Sequence, residues 1–206
     1  MRSIRSRSGA GHVPTWAYST TVDAHVRLES GLEHDLLRDL DRDPRITWLA
    51  SQPARVTPRR SGVKRAGLVP DLLSLANDGT VTVWAVRPAG RQNDKFLAEV
   101  EETTAACTQF GWVHRVFAGM DATRRSNLMW LDGFRQMMPW YEDSLVALRE
   151  NRGPAMTLSD VLEVDAGRGH VLSAVWHALR SGTLEADLDT RFTTASELRF
   201  VEEDAA

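Results

Sequence analysis

Residues 70–88 constrain this chain more than any other stretch, because they read as one β-hairpin with a fixed register. The turn residues Asn77-Asp78-Gly79 separate an apolar run from the alternating strand of residues 80–86. If the loop is three residues long, Ala76 pairs with Thr80, and counting outward sets Asp71 opposite Ala85. Directly opposed residues share a sheet face, and Arg87, two positions along from Ala85, lies on it too. A two-residue turn would set Asp71 against Val86 and send 85 and 87 to the other face. The hairpin therefore predicts a small cluster, Asp71, Ala85 and Arg87, only for the longer loop.

The chain has 206 residues with ordinary apolar and charged fractions, which fits an α/β domain with a proper core and a small appendage. No apolar run approaches the roughly 20 residues of a membrane span. Arg2, Arg5 and Arg7 near the start are followed by no apolar block, so no secretory signal is expected. The lone Cys107 has no intramolecular partner and reads as a buried spectator thiol, which fits a cytoplasmic protein. Net charge is -3, but its distribution is uneven. Arg55, Arg59, Arg60, Lys64 and Arg65 fall in one acid-free stretch, and Arg91 follows later. Such a local cluster suits phosphate contact with double-stranded DNA. The competing reading is a solvated loop in a chain where arginine outnumbers lysine 23 to 2.

Residues 1–27 read as a flexible basic arm, residues 28–140 as the main domain, and residues 141–206 as a small helical domain. A first helix is expected over residues 30–41, with Leu32, Leu36, Leu37 and Leu40 on one face and Asp43-Pro44 as its stop. Short strands are expected over 46–50 and 55–57, a strand interrupted near Pro70 over 63–75, a helix over 93–110, a strand over 112–117 and a helix over 127–138. Beyond Pro139-Trp140, Thr157-Leu158-Ser159-Asp160 has the form of a capping box, and a helix striped by Val171, Ala174, Val175 and Ala178 follows. Residues 183–188 suit a short strand, and Thr194-Ala195-Ser196-Glu197 carries a second capping signal. Together they suggest a winged-helix-like appendage.

Phosphodiester cleavage uses a hard divalent cation, normally Mg²⁺, to stabilise charge and activate water. Magnesium wants an octahedron of oxygens. An aspartate, a second acid or amide two strand positions before a lysine, the carbonyl between them and a helix glutamate supply much of that shell. Here Asp71, the carbonyl of Val86 and Glu33 are the available ligands, whereas Ala85 and Arg87 occupy the other two positions.

In order, Ser30-Gly31-Leu32-Glu33, Asp43-Pro44, Gln52-Pro53, Pro70-Asp71, Arg87-Pro88, Gly111-Trp112-Val113 and Asn127-Leu128 resemble the TnsA-like transposon endonuclease family. The resemblance covers most of the chain, and residues 179–188 look similar to that family's small C-terminal domain. It implies a restriction-endonuclease-like PD-(D/E)XK core, a mixed sheet flanked by helices. It also implies a transposase-like partner, which cuts the strands that this subunit does not. Within it Glu33 and Asp71 correspond to the family's carboxylates. The third-motif acid or glutamine falls on Ala85 and the lysine on Arg87. Alanine has no oxygen to offer, and arginine is bulkier and effectively never deprotonated. The expectation is a DNA- and transposase-binding scaffold whose own catalytic centre (Glu33, Asp71, Arg87) and Mg²⁺ site are weakened or lost.

Two alternatives stand beside it: an active Mg²⁺-dependent endonuclease with a rearranged site drawing on Glu99, Glu102 or Lys95, and a non-enzymatic DNA-binding regulator. A homo-oligomer is compatible with each. Bland readings also exist for single residues. Ser30 and Glu33 form a capping box without any metal, Asp71 can be a turn acid, and Arg87 a strand-end surface residue. Trp112 and Trp130 read as core. The six histidines are scattered, and no Walker or dinucleotide glycine motif occurs.

Overall fold

The structure is a computed structural model describing residues 14–53 and 69–201. The basic stretch with Arg55, Arg59, Arg60, Lys64 and Arg65, and the strands expected at 55–57 and 63–68, lie outside the described residues. The chain divides into two compact units, one of residues 1–37 and 45–119, the other of residues 38–44 and 120–206. The sequence places its change of character at 140 instead.

The first unit opens with a hairpin of β1 (Thr15–Ser19) and β2 (Ala24–Leu28), paired antiparallel from Thr15↔Leu28 to Ser19↔Ala24. This corrects the expectation of a flexible arm through residue 27. The inward residues Ala17, Ser19, Val26 and Leu28 are buried, and two of the four are too small to register as an apolar stripe. Helix α1 (Gly31–Arg42) follows, with Leu36 and Leu37 buried. It contributes residues 31–37 to the first unit and 38–42 to the second.

A four-stranded mixed sheet is the centre of this unit, in the order β3 (Ile46–Ser51), β4 (Leu72–Ala76), β5 (Val81–Val86), β6 (Val113–Phe117). The first two pairings are antiparallel. The last is parallel, and α2 (Asp94–Thr108) makes the crossover that parallel strands require. Asn93 caps α2 by accepting from the Phe96 N–H at 3.0 Å, and Gly111 at φ 70° closes its exit. Leu72 and Val83 are fully buried, as is Cys107, whose thiol burial pushes above its ordinary pKa.

The second unit holds α3 (Ala122–Leu131), α4 (Tyr141–Arg152), α5 (Leu158–Asp165), α6 (His170–Ser181) and an antiparallel sheet. Its strands are β7 (Ala155–Thr157), β8 (Leu184–Glu185) and β9 (Glu197–Phe200), in the order β7-β9-β8. Leu128, Leu131, Leu148, Val161, Val175, Leu179 and Leu198 form its core. The expected capping box at Thr157 is present, with the Thr157 N–H donating to Asp160 at 2.8 Å.

Three expectations fail here. The helix at 127–138 starts earlier, because Asp121 accepts from the Thr123 N–H at 2.7 Å, and ends at Leu131 in a 3₁₀ turn, Asp132–Phe134. Residues 194–197 open no helix. Ser196 accepts from the Thr193 N–H at 2.8 Å, and the carbonyls of Thr194 and Ser196 accept from Ser159 and Leu158 at the start of α5, so the chain continues as β9. Trp130 is not core: Leu128 and Leu131 take the inward positions and leave its ring 55% exposed. Trp112 is half-buried, tilted against Phe110. Among the described residues no helix is long and apolar enough to cross a membrane.

Candidate functional site

The β4–β5 loop fixes the geometry of this site. The Ala76 N–H donates to the Thr80 carbonyl at 2.9 Å, so residues 77–79 form the three-residue loop. Gly79 sits at φ 83°, a left-handed conformation that glycine adopts without a steric cost, and Asp78 accepts from the Thr80 N–H at 2.8 Å. Pairing runs from Leu75↔Val81 to Leu72↔Trp84, and the Asp71 N–H donates to the Trp84 carbonyl at 3.0 Å. The regular pairing ends at Leu72↔Trp84, and the Asp71 bond to the same Trp84 is one residue out of step, so Asp71 leaves the ladder beside the end of β5. The loop itself has the three-residue length that the sequence requires for a cluster here.

Asp71 Oδ2 accepts from the Val86 N–H at 2.6 Å. Burial holds its carboxyl above the ordinary range and the negative charge of Glu29 adds to this, while the Val86 bond and the Arg87 charge pull the other way. Arg87 is fixed on its own side: its N–H donates to the Phe117 carbonyl at 3.0 Å, and its guanidinium lies 4.6 Å from the centre of the Phe96 ring. Arg91 ends an exposed 3₁₀ turn, Ala89–Arg91, just beyond.

Glu33 enters from α1. It is 6% exposed, and both its oxygens are engaged: Oε1 accepts from the Ser30 hydroxyl at 2.9 Å and Oε2 from the Glu29 N–H at 2.8 Å. Ser30 Oγ in turn accepts from the Glu33 N–H at 3.2 Å as the N-cap of α1, so the two side chains cap the helix together, although Glu33 reaches back to Glu29 rather than to the Ser30 N–H. Burial pushes the Glu33 carboxyl above its ordinary pKa, against the lowering effect of these two bonds, and the charges of Asp71 and Glu29 push it further up. Glu33 therefore has a structural role and also lies within the field of Asp71.

Glu29 is the residue that sequence reasoning missed. Its negative charge bears on both carboxyls, yet it precedes the capping serine at the end of β2, and no motif marks it. Of the migrated ligands considered, Lys95 and Glu99 face solvent on α2, 4.0 Å apart, as an i,i+4 pair.

Three carboxylates and one guanidinium thus share one end of the β4–β5 pair. Each Glu33 oxygen accepts one bond from the chain entering α1, Asp71 accepts one from Val86, and Ala85 offers only a methyl group. Arg87 supplies fixed positive charge and no base. Set beside known proteins, the chain matches no family model and no curated sequence.

Proposed function

We propose that this chain is a DNA-acting subunit with a restriction-endonuclease-like, TnsA-like core whose own cleavage centre is weakened or lost. It serves a transposition or mobile-element system as a scaffold for double-stranded DNA and for a transposase-like partner, in the cytoplasm. One observation carries the reading: the Asp71 carboxylate accepts from the N–H of Val86, the residue between Ala85 and Arg87. The Asp71 and Glu33 carboxyls, both raised chiefly by burial, support it, because carboxyls perturbed by burial and by neighbouring charge cluster at functional sites. The missing oxygen at 85 leaves Mg²⁺ weakly held or unheld.

Cleavage of supercoiled plasmid in Mg²⁺ or Mn²⁺ tests this. The wild-type chain should nick little, and Ala85→Glu with Arg87→Lys should raise metal-dependent nicking, which Asp71→Ala should then remove. Wild-type cutting abolished by Asp71→Ala alone would establish the active-enzyme alternative instead.

The regulator alternative draws on the second unit. The element order α4-β7-α5-α6-β8-β9 with sheet order β7-β9-β8 is compatible with the winged-helix-like appendage expected from the sequence. Major-groove reading by α6 would have to do without two of its residues, which are engaged within the unit. His177 Nδ1 lies 2.7 Å from the Phe134 carbonyl, and the Trp140 indole N–H donates to Ser173 at 3.0 Å.

A further inference from the structure

Five arginines of the second unit are buried or half-buried, and four of them meet a carboxylate. Arg38 and Arg135 reach Asp132 at 2.7 and 2.8 Å, Arg124 reaches Asp39 at 2.7 Å, and Arg180 is bonded to Asp41. The fifth, Arg42, has no carboxylate at ion-pair distance among the described residues. Its Nε–H donates to the Leu179 carbonyl at 2.7 Å, which ties the end of α1 to α6. That bond accounts for one edge of the guanidinium and leaves its two terminal amino groups without a protein acceptor among the described residues. Burial and the neighbouring Arg124 charge push this guanidinium below its ordinary pKa, while Asp39 and Glu185 act against them through space. A cation drawn out of water without a close counter-ion is costly, and an anion at its open end would relieve that cost.

Arg42 lines a cleft of about 1190 Å³ within this unit, closed on other sides by β9 and by the loop that carries Thr190 and Thr193. We infer that this cleft binds a small ligand through one oxyanion group, a carboxylate or a phosphate, gripped by the terminal fork of Arg42. The fork offers paired N–H groups that match two oxygens of one such group, and the bond to Leu179 fixes its direction in advance. The volume lies just above the roughly 300–1,000 Å³ of small-ligand sites, so the rest of the ligand has room beside the anchored group. The charges of the lining set the ligand class. It carries four arginines and four acidic residues, among them Glu185, Asp187 and Glu197. A polyanion such as duplex DNA would be repelled by those acids, whereas a ligand with a single anionic group meets the fork and finds hydrogen-bond acceptors around it. The inference does not draw on the DNA-acting reading and stands or falls separately from it.

The test titrates the full-length chain with inorganic phosphate and, separately, with acetate at constant ionic strength, and follows the arginine Nε–H groups by heteronuclear NMR. At least one of the two anions should bind saturably and shift the Arg42 signal, and the one that does names the group. Arg42→Gln should weaken that binding at least about tenfold, the loss of one charge-assisted contact, read from the remaining signals of the cleft. Arg42→Lys keeps the charge without the fork and should fall between the two. Arg168→Gln, at an exposed arginine outside the cleft, should leave binding unchanged. Urea unfolding shows which variants are folded, and the wild-type titration decides the matter even if the Arg42 variants are not. Saturable binding of neither anion to the wild-type chain overturns the inference. So does undiminished binding in a folded Arg42→Gln chain, or an equal loss in Arg168→Gln. Displacement of the bound anion by a duplex oligonucleotide overturns the small-ligand assignment, because the fork would then be holding a DNA phosphate.

Discussion

Replacing Asp71 with asparagine should stabilise the chain at pH 8, although the residue is well bonded. Burial and the Glu29 charge hold the Asp71 carboxyl above its ordinary value of 3.8, so the folded chain binds that proton more tightly than the unfolded chain does. A raised folded pKa means that the group's favourable contribution is complete below the unfolded value and is lost as pH rises through the folded one. Asparagine stays neutral at every pH and keeps an oxygen for the Val86 N–H, which now donates at 2.6 Å. The gain should therefore be absent at pH 3.5 and present at pH 8. Alanine removes the acceptor as well, leaving a partly buried N–H unsatisfied at a cost of about 1–3 kcal/mol. Asp71→Ala should accordingly be less stable than Asp71→Asn by about that amount at pH 8. Urea unfolding at both pH values measures all three chains, and the linear extrapolation gives the differences directly. If asparagine costs more than about 1 kcal/mol at pH 8, Asp71 is a structural turn acid and the argument for an inherited site falls.

Further outcomes follow from the second unit. Gly182→Ala meets two obstacles, a left-handed φ of 78° and a Cβ placed 2.7 Å from Pro44 Cδ, and should lower stability by about 2–4 kcal/mol in the same urea assay. Burial raises Asp165, but the N–H groups of Gly169, Leu172 and Val171 outweigh it and hold the carboxyl below the ordinary range. Its contribution is then present above the unfolded pKa and lost as pH falls through the folded one. Asp165→Asn should flatten the acid limb of a thermal-melt series. Arg180 is 4% exposed and bonded to both the carboxylate and the carbonyl of Asp41, so Arg180→Met should cost about 3–5 kcal/mol by breaking a buried ion pair, read as a fall in the urea midpoint.

The parts of the fold that could be read in advance are those whose physics is local. The Asn77-Asp78-Gly79 loop set the register of β4 and β5, the leucine spacing of residues 32–40 marked α1, and Thr157 with Asp160 marked the start of α5. Readings failed where a distant partner decided the outcome. Ser196 has the chemistry of a helix cap, but the carbonyls around it are used by the first N–H groups of α5. Trp130 looks like core until Leu128 and Leu131, one turn of helix around it, claim the interior. Glu29 could not be read at all, because its relation to Asp71 exists only once β2 and β4 are folded.

Helix α1 has a consequence for anyone dividing this gene. Its first seven residues count with one unit and its last five with the other, so neither unit corresponds to an unbroken length of coding sequence. A fragment beginning at residue 120 would carry Arg180 without Asp41 and Gly182 without Pro44. Expressed alone it should be insoluble or molten, whereas a circular permutant that reattaches residues 38–44 would restore both contacts.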